Sequence, residues 1–210
     1  MSTIVYLIRH SKPFKEHKGI INSSDSVLLQ NIKNPLSIEG EKMALDFSHN
    51  EEFNNINEVW SSSYTRCMGT AKYFAYNNNL KVNIDDRLNE RLHGVINSYD
   101  EVPDDYEEHQ LSDENYKLPN GESQKVVGNR MYNALIDIIN NNKNKRVVIV
   151  SHCTSIIFLL KKLGCNIILS DDYSFNGNVF FNGIPNYLET FKLEFNDDNK
   201  LISIKNIERR

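Results

Sequence analysis

Two histidines and two arginines in this 210-residue chain follow segments that have the pattern of buried strands. Arg9 and His10 come directly after the apolar run TIVYLI, and His152 follows the run RVVIV. Arg66 lies in the first turn of a helix predicted after a shorter strand. In open α/β sheets, ligands bind beyond the carboxyl ends of the strands, so these four side chains are expected to converge.

Arginine and histidine at such an edge predict a pocket for a phosphate group. The planar guanidinium offers paired donors to phosphate oxygens, and helix N-termini add free N–H groups. A neutral histidine can also act as a nucleophile toward phosphorus. The pocket still needs a proton donor for the leaving oxygen, and the candidate is Glu90 in the segment RLNER. Asp85, Asp86 and the acids further along the chain remain open as alternatives.

Strands alternate with helices along the chain. The predicted strands are 3–8, 58–62, 80–84, 146–150, 187–195 and 201–207, and the predicted helices are 37–53, 64–75, 122–142 and 153–163. Ser37 and Ser123 are expected as N-caps, and Gly164 is expected at a C-cap. This alternation favours an α/β fold with a mostly parallel sheet. Because no repeat or Pro/Gly-rich linker divides the chain, a single domain over residues 1–210 is predicted.

The composition is that of a globular protein with a sizeable core. Hydrophobic residues make up 40% of the chain, too many for a disordered protein. A formal charge of -4 and a pI near 5.9 argue against nucleic acid as a partner. No apolar run approaches the ~18 residues of a membrane span, and the start lacks the pattern of a signal peptide. Cys67, Cys153 and Cys165 have neither disulfide nor metal-binding spacing, so we expect a cytoplasmic protein without a membrane partner.

The acidic residues are concentrated in one segment, about residues 93–123. Its nine acidic residues and one lysine give it a formal charge of -8. The 23 basic and 19 acidic residues outside it leave the rest of the chain at +4. The segment lacks clear periodicity, and we expect it to be a lid or an insertion beside the phosphate pocket.

Five short segments are informative because of the order in which they occur. They are IVYLIRHSKP, PLSIEGEKMA, VWSSSYTRCMGTA, RLNERLHG and VVIVSHCTSI, and they run from residue 4 to about residue 156. Together they resemble the histidine phosphatase superfamily, the phosphoglycerate-mutase-like group, in its phosphatase branch. One such segment alone is a weak signal, and five in family order are a strong one. The resemblance implies a three-layer sandwich in which helices flank the mostly parallel central sheet.

The resemblance also implies a role for each candidate residue. His10 would be the nucleophile that carries the phosphoryl group. Glu90 would protonate the departing oxygen and then help to activate water, and His152 would be the third catalytic residue. The phosphate-binding residues would be Arg9, Arg66, His152 and Cys153. Neither a metal nor a cofactor is expected, because the arginines and histidines supply the positive charge, and the partner would be a small phosphorylated substrate.

Taken one at a time, these residues have simpler explanations. A lone histidine after a strand is more often structural than catalytic, and exposed arginines often form weak ion pairs. Glu90 stands among arginines, which is typical of a salt bridge. Cys67 falls on an apolar helix face and is predicted in the core. Ser11 and Cys153 replace family glycines at positions that contribute mainly backbone, which leaves the fine geometry and the substrate preference open.

Three functions remain in competition. The first is a phosphomonoester hydrolase, and the second is a phosphoglycerate-type mutase, which returns the phosphoryl group to its substrate. Family mutases usually carry a longer insertion with basic residues between the acid and the second histidine. Here Glu90 and His152 are 62 positions apart and the intervening segment is acidic, which favours the hydrolase. The third is a catalytically silent phosphate-binding regulatory module; such proteins usually lack the nucleophile or the acid, and this chain has both.

Overall fold

The computed structural model describes residues 2–14, 25–168 and 170–207. The strands are β1 (Thr3–Arg9), β2 (Glu58–Ser61), β3 (Val82–Ile84), β4 (Arg146–Ser151), β5 (Asn166–Ile167), β6 (Asp172–Phe175), β7 (Asn178–Asn182), β8 (Thr190–Phe195) and β9 (Leu201–Asn206). The helices are α1 (Val27–Lys33), α2 (Ile38–Ser48), α3 (Thr65–Asn77), α4 (Tyr106–Ser112), α5 (Gln124–Asn140) and α6 (Cys153–Lys162). Short 3-10 turns cover Glu51–Phe53, Asp86–Leu88 and Tyr99–Glu101.

A mixed sheet forms the centre of the described structure, in the strand order β3-β2-β4-β1-β8-β9. The pairs β1/β4, β2/β4 and β2/β3 are parallel, whereas β8 and β9 join antiparallel at one edge. In the parallel pair of β1 and β4, Arg9 lies opposite Ser151. The residues that follow them, His10 and His152, are therefore brought to the same end of the sheet.

Each face of the sheet buries its own set of apolar side chains. Successive residues of a strand point to opposite faces. One face packs against α5 and α6 and includes Val5, Leu7, Val147 and Ile149. The other packs against α2 and α3 and includes Tyr6, Ile8, Val148 and Val150. Helices on both faces of a mostly parallel sheet confirm the expected α/β three-layer sandwich.

The capping residues in the sequence predicted where helices begin more accurately than where they end. The Ser37 hydroxyl accepts the Gly40 N–H and caps α2, and the Ser123 hydroxyl accepts the Val126 N–H and caps α5, as predicted. The expectation that the first of these helices continues to residue 53 is wrong. It ends at Ser48, because Asn50 caps a separate 3-10 turn.

Two parts of the chain fold in ways that the sequence patterns did not indicate. Strands β5, β6 and β7 form a second, three-stranded antiparallel sheet. Within the acidic segment, α4 has a partly apolar face that buries Tyr106 and Gln110. A helix of seven residues is too short to show its periodicity against a run of acids.

The helices of the described residues are too short or too polar to span a lipid bilayer.

Candidate active site

Hydrogen bonds to three other elements hold the backbone just after β1, where His10 is the first residue of the site. The His10 N–H donates to the Ser151 carbonyl at 2.9 Å, which extends the ladder between β1 and β4. The Ser11 N–H donates to Thr70 Oγ1 at 2.9 Å, and the Ser11 hydroxyl donates to the Gly40 carbonyl at 2.7 Å. A Cβ at Gly40 would lie 2.0 Å from the Lys12 carbonyl oxygen, so only glycine permits this approach of α2.

The hydrogen bonds of the His10 ring assign its tautomer. His10 Nδ1 lies 2.8 Å from the Ser11 carbonyl oxygen, which can only accept, so Nδ1 carries the proton. Nε2 is left with a lone pair, and Arg66 Nε donates to it at 3.1 Å. The atom that could attack phosphorus is therefore the unprotonated Nε2.

His152 has the opposite tautomer, which a chain of polar contacts determines. The Ser63 N–H donates to Asn89 Oδ1 at 2.9 Å, and the Ser62 hydroxyl donates to the same oxygen at 2.7 Å. Ser62 Oγ must then accept from His152 Nε2, 2.9 Å away. His152 Nδ1 keeps its lone pair and accepts from Arg66 Nη2 at 2.9 Å.

A single guanidinium therefore joins the two histidines. Arg66 lies in the first turn of α3, is 5% exposed, and donates through its third nitrogen to the Asn31 carbonyl at 2.7 Å. The His10 and His152 ring centroids are 5.2 Å apart in an edge-to-face arrangement. These three side chains belong to the cluster of four, with Arg9, that their positions after predicted strands led us to expect.

The environment of the two histidines keeps both rings neutral. Burial lowers the pKa of His10 well below its usual value, and the Arg66 charge lowers it further. The pKa of His152 is lowered in the same way by burial, by Arg66 and by His10. A neutral imidazole has the free lone pair that a nucleophile needs.

Arg9 reaches the site from the end of β1, beside the chain that precedes β8. Its Nη1 donates to the Pro185 carbonyl at 2.5 Å, and its guanidinium lies 4.7 Å from the Tyr187 ring centroid. Arg9 Nε is buried and has no hydrogen-bond partner among the described residues. The side chain thus has donor capacity that it does not use within the protein.

Glu90 lies in the loop after the 3-10 turn Asp86–Leu88, where α6 begins. Its Oε1 accepts from the Arg91 N–H at 2.8 Å, the Ser155 N–H at 3.2 Å and the Ser155 hydroxyl at 3.0 Å. One carboxylate oxygen is therefore fixed by three donors. The carboxylate lines the same cleft as Arg9 and Arg66.

Arg130 of α5 holds the loop that carries Glu90. It donates through Nη1 to the carbonyls of Arg87 and Asn89, both at 2.8 Å, and through Nη2 to the Glu90 carbonyl at 3.2 Å. Both oxygens of Glu122 accept from Arg130 at 2.8 Å. Sequence reasoning missed Arg130, and the only sequence signal for Glu122 was the short stretch Gly-Glu-Ser before α5.

Neither cysteine near the site has the character of a reactive thiolate. Cys67 is fully buried behind His152, with Sγ 3.3 Å from Nε2, and burial raises its pKa to about 12. Its predicted place in the core is confirmed. Cys153 opens α6 and lines the cleft, and burial raises its pKa to about 11.

The site opens into a cleft of about 870 Å³. Arg9, Arg66, Glu90 and Cys153 line it, together with Asp104, Glu107 and Glu108 of the acidic segment. Of the alternative acids, Asp85 and Asp86 are not among the lining residues, whereas these three acids of the segment are. The structure therefore brings together all six side chains singled out from the sequence: Arg9, His10, Arg66, Glu90, His152 and Cys153.

A family model described as the histidine phosphatase superfamily (branch 1) matches residues 5–175. The chain belongs to the histidine phosphatase superfamily. This membership confirms the family that the five ordered segments resembled.

The chain is similar to proteins that are named as a mutase and as phosphatases. An Escherichia fergusonii protein named as a probable phosphoglycerate mutase, GpmB, is 27% identical over 155 residues, which are 70% of this chain and 68% of that protein. Mycobacterial glucosyl-3-phosphoglycerate phosphatase has a TM-score of 0.70 and 16% identity, over 98% of this chain and 97% of the other. A mutant phosphoserine phosphatase from Entamoeba histolytica, in complex with phosphoserine, has a TM-score of 0.65 and 19% identity, over 97% and 96%.

Proposed function

We propose that this histidine phosphatase superfamily member is a phosphomonoester hydrolase that works through a phosphohistidine on His10 and needs no metal. The observation that carries the proposal is the neutral Nε2 of His10, which the Ser11 carbonyl orients from the other side of the ring. It lies beside a buried guanidinium and a second neutral histidine. Such a site combines a positioned nucleophile with fixed positive charge.

In the first step, His10 Nε2 attacks phosphorus and the P–O bond to the alcohol breaks. Arg9, Arg66 and the backbone N–H of Cys153 at the start of α6 hold the phosphoryl oxygens, and His152 Nδ1, which has a lone pair, accepts from the hydroxyl of a singly protonated phosphoryl group. Arg66 exchanges its contacts with the two histidine nitrogens for contacts with phosphate oxygens, which are stronger acceptors. Glu90, which enters the cycle with its carboxyl protonated on the oxygen that the three donors leave free, gives this proton to the departing alkoxide.

In the second step, water attacks the phosphohistidine and the P–N bond breaks. The Glu90 carboxylate, which has just lost its proton, takes one from the attacking water. Inorganic phosphate leaves, and His10 returns to the neutral form in which it began. Each residue therefore ends the cycle in its starting protonation state.

A mutase is the second candidate, because the curated relative carries that name. A mutase keeps the phosphohistidine and returns the phosphoryl group to a second hydroxyl. The acids Asp104, Glu107 and Glu108 in the cleft oppose the carboxylate of a phosphoglycerate, which supports the hydrolase instead. A silent phosphate-binding module, the third candidate, has no use for an oriented nucleophile and a fixed carboxylate.

The test is release of inorganic phosphate from p-nitrophenyl phosphate and from alkyl phosphates, with EDTA present. We expect hydrolysis that EDTA does not change and that His10→Ala abolishes. His109→Ala is the matched control, because His109 lies on α4 with half of its side chain exposed. Full activity of His10→Ala, or hydrolysis that EDTA stops, contradicts the proposal.

A further inference from the structure

Acidic residues also line the cleft, and we call them its acidic end. Asp104, Glu107 and Glu108 line it, and all three are exposed. Glu107 is neutralised by Arg91, whose Nη2 lies 3.2 Å away. Asp104 and Glu108 form no salt bridge and accept no side-chain hydrogen bond from any described residue. The cleft therefore combines basic groups suited to an anion with two carboxylates that have no cationic partner among the described residues.

Tyr173 provides an independent indication that this end of the cleft takes a ligand. The residue is 0% exposed and lines the cleft, yet its hydroxyl has no hydrogen-bond partner among the described residues. Buried polar atoms are rarely left without a partner. Burial raises the pKa of Tyr173, so its hydroxyl stays protonated at neutral pH. A neutral hydroxyl can accept a hydrogen bond from a cation.

Aromatic residues that line the cleft also suit a cation. Tyr99 lines the cleft with its side chain half exposed, and its ring centroid lies 5.6 Å from that of His93. Tyrosine faces attract ammonium groups. Burial and the Arg91 charge lower the pKa of His93 to about 4, so at neutral pH His93 adds no positive charge that would repel such a group.

We infer that this end of the cleft recognises an ammonium group on the alcohol of the phosphate ester, bound by Asp104 and Glu108 and by the Tyr173 hydroxyl. The inference rests on the proposed phosphatase activity and names its substrate class: phosphomonoesters with a cationic tail. The phosphate would bind at Arg9 and Arg66, and the ammonium would lie at the acidic end.

The experiment compares three esters of equal chain length that differ only at the far end: aminopentyl phosphate, hydroxypentyl phosphate and carboxypentyl phosphate. We expect kcat/KM for the ammonium ester to exceed that for the hydroxyl ester about tenfold, and the carboxylate ester to be the poorest. The preference should decrease with added salt, because the carboxylates are exposed. p-Nitrophenyl phosphate is measured in parallel to establish that the enzyme is active.

Variants assign the preference to the acidic end of the cleft. Asp104→Asn/Glu108→Gln should bring the ratio of ammonium ester to hydroxyl ester close to one. Asp105→Asn/Glu114→Gln is the matched control, since it changes the net charge equally at exposed acids that do not line the cleft. It should keep the ratio of the unmodified protein. Tyr173→Phe should lower the ratio without lowering the melting temperature, because the hydroxyl has no partner within the described residues.

The outcomes distinguish a failure of the proposed substrate class from a failure of the proposed phosphatase activity. A tenfold preference that only the cleft variants remove supports the cationic substrate class. Hydrolysis of p-nitrophenyl phosphate with equal rates for the three esters overturns that class and leaves the phosphatase activity standing. A preference for the carboxylate ester also overturns it and points to Arg91 instead. If no ester is hydrolysed, the phosphatase activity and the substrate class both fall.

Discussion

At the scale of single residues, the central feature is that Arg66 donates a hydrogen bond to the unprotonated nitrogen of each histidine. Its Nε donates to His10 Nε2 at 3.1 Å, and its Nη2 donates to His152 Nδ1 at 2.9 Å. In the proposed mechanism, a phosphoryl group that enters the site takes over these donors, which frees His10 Nε2 for attack. The substrate would then release the nucleophile that attacks it.

The buried, neutral histidines predict how stability depends on pH. The pKa values of His10 and His152 are lower in the folded protein than the usual value of 6.5. Below about pH 6.5 the unfolded chain therefore binds more protons than the folded one. The free energy of unfolding should fall as the pH decreases through this range, by up to about 1.4 kcal/mol per pH unit for each histidine.

Urea unfolding at several pH values between about 7.5 and 5.5 measures this dependence. In this window the carboxylates that the fold stabilises, such as Glu52 and Asp85, are still ionised because their pKa values are lowered. His10→Gln/His152→Gln should show a shallower decline than the unmodified protein. An identical decline in both proteins would mean that the two rings are not the groups that titrate.

Glu90 is expected to matter most when the leaving oxygen is a strong base. For Glu90→Gln, kcat/KM for an alkyl phosphate should fall by about 10²–10⁴-fold, the usual contribution of a general acid. p-Nitrophenyl phosphate should be affected much less, because p-nitrophenolate is a weak base that leaves without a proton. Steady-state kinetics with both substrates give the comparison, and equal losses would exclude Glu90 as the proton donor.

At the scale of elements, helix α5 and the loop after β3 form one unit. Arg130 of α5 binds three successive parts of that loop through the carbonyls of Arg87, Asn89 and Glu90. Glu122, just before α5, receives two hydrogen bonds from Arg130 and one from the Leu92 N–H at 3.0 Å. The helix therefore fixes the backbone from which Glu90 reaches α6.

Replacing Arg130 should lower kcat/KM for alkyl phosphates, as replacing Glu90 does, but by a smaller factor. In Arg130→Ala the loop loses three hydrogen bonds, and a displacement of about 1 Å can cost 10²-fold in rate. We expect kcat/KM for alkyl phosphates to fall more than kcat/KM for p-nitrophenyl phosphate, with partial recovery in Arg130→Lys. Steady-state kinetics with an alkyl phosphate and with p-nitrophenyl phosphate measure the two changes in kcat/KM.

Arg146→Ala is the control for a general loss of stability. Arg146 begins β4 and donates to the Glu52 carbonyl at 2.5 Å, in a part of the protein that does not line the cleft. This variant should lower the melting temperature and leave the ratio of the two ester rates unchanged. If Arg130→Ala lowers both rates by the same factor, Arg130 supports the fold rather than the acid.

At the scale of the whole molecule, the sheet explains which parts of the site could be predicted. His10 and His152 follow β1 and β4, which are long apolar strands with a clear pattern, and parallel pairing brings their ends together. Arg66 follows β2 by the same rule. The alternation of strands and helices was therefore enough to predict both the fold class and this cluster.

Other features depend on contacts that no local pattern contains. The support of Glu90 comes from Arg130, 40 positions later, so it emerges only from packing. The second sheet is formed by strands of two to five residues with several asparagines, which have weak strand signals. The sequence shows that the acidic residues are concentrated in one segment. Only the fold shows that Asp104, Glu107 and Glu108 of that segment share a cleft with Arg9 and Arg66.

The most direct test of the central claim is to trap the phosphoryl group on the enzyme. p-Nitrophenyl phosphate with a labelled phosphoryl group is mixed with the protein, the reaction is quenched in alkali after a few milliseconds, and the labelled peptide is identified by mass spectrometry. We predict an alkali-stable, acid-labile phosphohistidine at His10, in larger amount with Glu90→Gln because water is then activated poorly. Label on another residue, or substrate turnover at full rate in His10→Ala, would contradict the account.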